Sequence, residues 1–193
     1  MSDQPVDPRP LFYRALDQAE KVVAATGEDT MGLPTPCDEF DVRTLGGHLV
    51  AVVRRIDHVG NGGKAMDLPS VIRDLPAADI GPLLGAARAD LVATWTDDAL
   101  LDKTLSLPFG EFPGRAALAA YSQEMVVHSW DLAKALGRLD LLDDELAEAV
   151  LPIARKFVPA EPRGGHVPFG PVLDVPPTAG PYAQLAGHLG RHP

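Results

Sequence analysis

From about Pro10 to Val158 the apolar residues of this chain recur three and four positions apart in long runs, and Pro, Gly and Asn-Gly punctuation separates the runs. A period near 3.6 places such residues on one face of a helix, so the pattern predicts helices packed on one another. The first runs from about Pro10 to Thr26, with Leu11, Ala15, Ala19, Val22 and Val23 inward and Gly27 as its stop. Pro34 and Pro36 break the pattern, and Asp41 is then placed to cap a second helix carrying Leu45, Leu49, Val52, Val53 and Ile56 as far as Gly60. A third spans about Pro82 to Trp95, with the proline at its first position. Residues Leu100 to Leu107 alternate only in part before the turn-like FGEFPG, which fits a short extended segment or a hairpin.

The fourth helix begins near Pro113 and Gly114 and runs to Leu136, where Gly137 stops it. A fifth starts at the acidic LDDELAEAV and meets Pro152, a position for a kink. After Val158, Pro and Gly crowd the chain into an irregular strap, with a short helical end at Tyr182 to Leu189. The fold class expected is all-α: a four-helix bundle at about 8–158, one extra helix, and a Pro/Gly-rich C-terminal segment at about 159–193, forming a single domain over 1–193.

Three polar side chains interrupt the inner faces of this bundle. His48 stands among Leu45, Leu49 and Val52, and Glu124 and His128 share a line with Tyr121 and Leu132. Four positions apart, Glu124 and His128 project from nearly the same side of one helix. An unpaired carboxylate is costly to bury, and a divalent cation shared with two neutral imidazoles relieves that cost. Two histidines and one carboxylate are the ligand types of a zinc site with an open position. The same spacing is also that of a simple hydrogen-bonded pair. His58 points away from His48, and His166, His188 and His192 fall in or near the irregular tail, so these four are read as structural or solvated.

Several neighbours carry secondary readings. Asp131, three residues beyond His128, is placed to accept a hydrogen bond that orients a ligand, or to make an interhelical salt bridge. Trp130 reads as packing. Cys37 is either a small buried residue or a thiol made reactive by a nearby cation. Arg54, Arg55 and Arg115 are the candidates to hold an anionic thiol or substrate, against plain surface exposure.

Bulk properties exclude other classes. A formal charge of −10, from 27 acidic and 17 basic residues without a dense basic run, repels a phosphate backbone, so no nucleic-acid partner is expected. Charges interrupt every apolar stretch before the roughly 20 residues that cross a bilayer, and the N-terminal segment lacks a basic region followed by an apolar run. With one cysteine no internal disulfide forms, and the expectation is a cytoplasmic protein without a membrane partner. No G-x-S-x-G, phosphate-binding G-x-x-x-x-G-K-[ST] or H-E-x-x-H motif is present.

Two segments resemble a known family. TPCDEFDVRTLGGHLV and EMVVHSWDLAKALG are similar to the T-P-C-x-x-W/F-x-V-x-x-L-x-x-H-L and E-x-x-x-H-x-W-D-L-A-x-A-x-G segments of the DinB-like, mycothiol-dependent maleylpyruvate isomerase N-terminal domain family. The ending FGPVLDVPPTAGPYAQLAGHLGRHP resembles the close of a short, single-domain branch of that group. The resemblance implies a divalent metal, usually zinc and otherwise nickel or iron, at the positions matching His48, Glu124 and His128. It also implies mycothiol or a similar low-molecular-weight thiol as co-substrate. Family isomerases carry a second, C-terminal domain, and a chain ending at Pro193 leaves no room for one. The expected chemistry is therefore thiol transfer or isomerisation on a small electrophile rather than maleylpyruvate isomerisation itself, with a homodimer as a possible assembly. A metal-binding or interaction domain whose ion is mainly structural is the alternative.

Overall fold

Asp41 marks how closely local sequence sets the helix boundaries. Its backbone is extended and its carboxylate accepts from the Thr44 N–H at 2.8 Å, so α2 (Val42–Gly60) starts at that residue. The computed structural model describes residues 6–164 and 169–193, and His166 lies outside the described residues. Helix α1 (Arg9–Val23) opens with Pro10 in its first turn and ends three residues short of the expected Thr26. There Ala25 and Thr26 turn back onto the carbonyls of Val22 and Val23, which tightens and closes the last turn.

Helix α3 (Ala77–Thr94) corrects the expectation at its start, since it begins five residues before Pro82 and keeps the proline inside. Ile80 explains the extension. It is fully buried, and its side chain fills the space over Gly46 of α2, so that first turn is held by packing. The missing N–H of Pro82 would have faced the carbonyl of Ala78, which lies on an exposed turn where water can serve it.

The ambiguous segment is a hairpin. β1 (Thr104–Leu107) pairs antiparallel with β2 (Gly110–Pro113) across a two-residue turn, and Leu105 and Leu107 are buried. Helix α4 (Gly114–Ala135) follows at once. Helix α5 (Asp144–Phe157), capped by the Asp143 carboxylate on the Glu145 N–H, continues through Pro152 on its exposed side. Helix α6 (Pro181–His188) closes the chain.

Helices α1 and α2 each pack against both α3 and α4, giving a four-helix ring. Helix α5 lies outside the ring against α4 and α1, and α6 packs on α5 and α4. Trp95 is fully buried at one end, with its indole N–H donating to the Ile56 carbonyl at 3.2 Å. Helix α4 therefore has neighbours on several sides, and 16 of its 22 residues are buried. A helix enclosed in this way has no polar face on which to place His128, Ser129 and Asp131, so each needs a partner inside. Among the described residues, no helix is long and apolar enough to cross a membrane.

Candidate metal centre

The contact between α2 and α4 brings His48, Glu124 and His128 to one point. Glu124 Oε1 lies 3.1 Å from His48 Nε2 and 3.4 Å from His128 Nε2, and the two imidazole rings meet edge to face at 4.9 Å. Both histidines are nearly buried, and the Glu124 side chain keeps 28% of its surface. The three donor atoms lie within 4.8 Å of one another.

The other nitrogen of each ring is already committed. His48 Nδ1–H donates to the Ser70 carbonyl at 2.8 Å, and His128 Nδ1–H donates to Asp131 Oδ2 at 2.9 Å. In a neutral ring this leaves the lone pair on Nε2, so two nitrogen lone pairs and a carboxylate oxygen face one another. Three acceptors at such range need positive charge between them, either protons or a metal ion. The separations of 3.1 and 3.4 Å are close to the roughly 3.3 Å between ligand atoms arranged tetrahedrally about an ion at about 2.0–2.1 Å. The donor set therefore fits zinc or a similar divalent cation.

Local sequence holds the second partners in place. A β-carbon on Gly47 would lie 2.0 Å from the Ile72 carbonyl oxygen. Only glycine lets the 68–72 segment rest on α2, where Ile72 N–H donates to the Gly47 carbonyl at 3.3 Å and Ser70 reaches His48. Asp131 is fully buried and accepts from Arg191 Nε on both oxygens, at 2.9 and 3.0 Å. Asp131 thus accepts from His128 as expected, while its salt bridge is not interhelical: the partner, Arg191, lies beyond the end of α6. Trp130 packs as expected, 4% exposed with Lys134 Nζ above its ring at 5.0 Å.

Charge at the site follows from these contacts. Burial disfavours the charged form of Glu124, but the His128 charge and hydrogen bonds with both imidazoles prevail and hold its pKa well below the ordinary carboxylate value. Burial likewise opposes a charge on His128, yet Glu124 and Asp131 outweigh it and raise the pKa to about 9. Burial pushes the half-buried Cys37 thiol up to about 11, with Asp131 and Glu124 adding to the rise and Arg191 opposing it. The metal-free protein therefore keeps this thiol protonated.

A cleft of about 440 Å³ opens onto the three groups. Cys37 and Phe40 wall one side, and Phe169, Gly170, Gly190 and Arg191 from the C-terminal segment wall the other. None of the three expected arginines lines it. Arg54 is exposed, Arg55 is buried with its guanidinium on the Leu68 carbonyl, and Arg115 pairs with Asp102. Long cationic side chains go where an acceptor is found, which spacing along a helix does not specify. The cation in the cleft is Arg191, whose Nη groups make no hydrogen bond among the described residues. The signal for it was Asp131, since a carboxylate in an enclosed helix calls for a counter-charge. The other histidines lie apart: His58 meets Asp67, His188 contacts the Val158 carbonyl, and His192 offers its carbonyl to Lys134.

The chain is similar to known proteins in sequence and in fold. The family model described as the mycothiol maleylpyruvate isomerase N-terminal domain matches residues 12–133, a span holding all three converging groups. Two uncharacterized proteins of Mycobacterium tuberculosis, from strains CDC 1551 / Oshkosh and ATCC 25618 / H37Rv, are each 31% identical over 189 residues. Each alignment covers 96% of this chain and 98% of the relative. Crystal structures of the mycothiol-dependent maleylpyruvate isomerase and of a histidine-to-alanine mutant of it superpose with a TM-score of 0.64, over 81% of this chain and 70% of theirs. At 14% and 13% identity this is likeness of fold.

Proposed function

Since this chain belongs to the mycothiol maleylpyruvate isomerase N-terminal domain family, we propose that His48, Glu124 and His128 hold a divalent metal ion, zinc foremost, and present it to a low-molecular-weight thiol of the mycothiol type. The observation that carries this reading is the pair of committed Nδ1 atoms, which turns both Nε2 lone pairs onto Glu124. Such an ion supplies Lewis acidity that favours thiolate over thiol near neutral pH. The chain does the rest. Three protein ligands would leave such an ion a further position for a thiol, and the cleft that the three residues line gives access to it. Ser70 and Asp131 fix the rings, Phe40 and Phe169 bring apolar walls to the mouth, and the Arg191 Nη donors face an anionic group on the thiol or on a small electrophile. The activity in this reading is thiol transfer to, or thiol-assisted isomerisation of, such an electrophile. Titrating the cobalt-substituted protein with a low-molecular-weight thiol tests it. A saturable sulfur-to-cobalt charge-transfer band is expected, and a spectrum unchanged by thiol contradicts the open-position reading.

The ion competes with a proton. In the metal-free protein His128 faces Glu124, His48 and Asp131, with Arg191 and Cys37 behind, and its pKa stands at about 9 against an ordinary 6.5. A raised value stabilises the fold fully below about 6.5, and that contribution is lost as pH rises through about 9. Metal uptake runs the other way. Near neutral pH it releases the His128 proton, so apparent affinity climbs by about tenfold per pH unit and levels off above about 9. Calorimetry in buffers of differing ionisation heat reads this release directly. Uptake near neutral pH without proton release contradicts the expectation.

A further inference from the structure

The C-terminal segment reads from sequence as a strap, yet it places Arg191 inside the site. Arg191, 9% exposed and two residues from the end of the described chain, reaches back across 60 positions to Asp131. The backbone is built for that reach. Gly190 has φ +77°, and its α-carbon lies so close to Gly170 that a β-carbon would meet three Gly170 backbone atoms at 2.8 Å. The Arg191 N–H donates to the Ala186 carbonyl at 2.9 Å, and Arg163 holds the His188 carbonyl at 2.8 Å. The guanidinium thus arrives beside α4 in one orientation, with Nε on both Asp131 oxygens while Asp131 Oδ2 accepts from His128.

We propose that Arg191 is a positioning residue of the metal centre: it fixes Asp131, Asp131 fixes the His128 ring, and docking of segment 169–191 and metal binding are thereby coupled. The proposal rests on His48, Glu124 and His128 being the ligands. Coupling of this kind is reciprocal, so whatever factor the docked segment adds to metal affinity, the bound ion adds to docking. Outer partners of metal-binding histidines typically contribute about 10- to 100-fold in affinity. The segment also walls the cleft, so an ion that holds it in place completes the binding surface for the thiol at the same time.

The test uses the full chain, with zinc for affinity and exchange and cobalt for spectra. In the wild type, zinc should slow amide exchange at Leu185–Arg191. In Arg191→Gln the zinc dissociation constant should weaken about 10- to 100-fold. The cobalt spectrum should shift, and exchange of the segment should no longer respond to zinc. Arg191→Lys, which keeps the charge without the planar fork, should recover only part of the affinity. A folded Arg191→Gln protein that binds zinc within about twofold of wild type, with an unchanged cobalt spectrum, overturns the proposal. Should that variant fail to fold, the wild-type exchange decides: slowing by zinc upholds coupling, and identical exchange with and without zinc overturns it. A wild type that takes up no ion removes the ligand assignment itself, and this proposal with it.

Discussion

Replacing Glu124 with glutamine will abolish stoichiometric metal binding while leaving the helical bundle folded. The carboxylate is the only anionic member of the converging set, and its Oε1 is the atom that both Nε2 atoms approach, at 3.1 and 3.4 Å. Glutamine keeps the volume and removes the charge, so an ion there would meet two neutral imidazoles and a weak amide oxygen. Loss of an outer hydrogen-bonding partner costs about 10- to 100-fold in affinity, and loss of the charged ligand itself should exceed the upper end of that range. The Glu124 side chain retains 28% exposure and faces the cleft, so the substitution opens no hole in the core. Metal titration beside circular dichroism separates the two effects. Helicity of the metal-free protein should stay near wild type and its melting should fall near neutral pH, since His128 loses the charge that raises its pKa, while the stabilisation on adding metal disappears. His48→Ala should behave alike in binding, because it removes one nitrogen ligand and leaves the other two on α4.

The second large effect is on stability. Asp131→Ala removes the counter-charge of a guanidinium that is 9% exposed and the acceptor of His128 Nδ1 in one step. Stripping one partner from a buried pair typically costs about 3–5 kcal/mol, because the charge left behind is neither solvated nor neutralised. For a chain of this size about 1 kcal/mol moves Tm by about 2–4 °C, so a fall of about 10 °C is expected by thermal denaturation. Asp131→Asn, which still accepts from His128 but lacks the charge, should fall between the alanine variant and wild type. An alanine variant that melts within about 2 °C of wild type shows the pair to be energetically idle.

Asp131 also shows where sequence reading stops. Helical period located the main helices, because an apolar stripe three and four apart leaves few alternatives over 15 to 22 residues. It misplaces the start of α3, because Pro82 reads as a first-turn proline while burial of Ile80 extends the helix further. It left the 104–113 hairpin open, since four-residue strands carry too little alternation to exclude other extended forms. His48, Glu124 and His128 were legible because each breaks an apolar line, a contrast visible without any knowledge of contacts. The family resemblance read from the same two segments agrees with the family match over residues 12–133.

What sequence could not supply was the non-local half of the site. Arg191 lies in a tail with no period, and only the fold carries it to Asp131. Arg54, Arg55 and Arg115 looked as suitable by charge alone. Yet Arg55 is spent on the Leu68 carbonyl, where it pins the segment whose Ser70 carbonyl orients His48. Arg115 is tied to Asp102. The Ser70 carbonyl carries no side-chain signal at all; Gly47, which lets that segment approach, is its only trace in the sequence.

The most direct test of the central claim is the metal content of the untagged wild-type chain beside that of Glu124→Gln, by elemental analysis after equilibration with zinc and removal of free ion. One divalent ion per wild-type chain, absent from the variant, is the expected result. A wild-type chain that carries no ion and acquires none from zinc, cobalt, nickel or iron, or a variant that binds as well as wild type, contradicts the assignment of His48, Glu124 and His128.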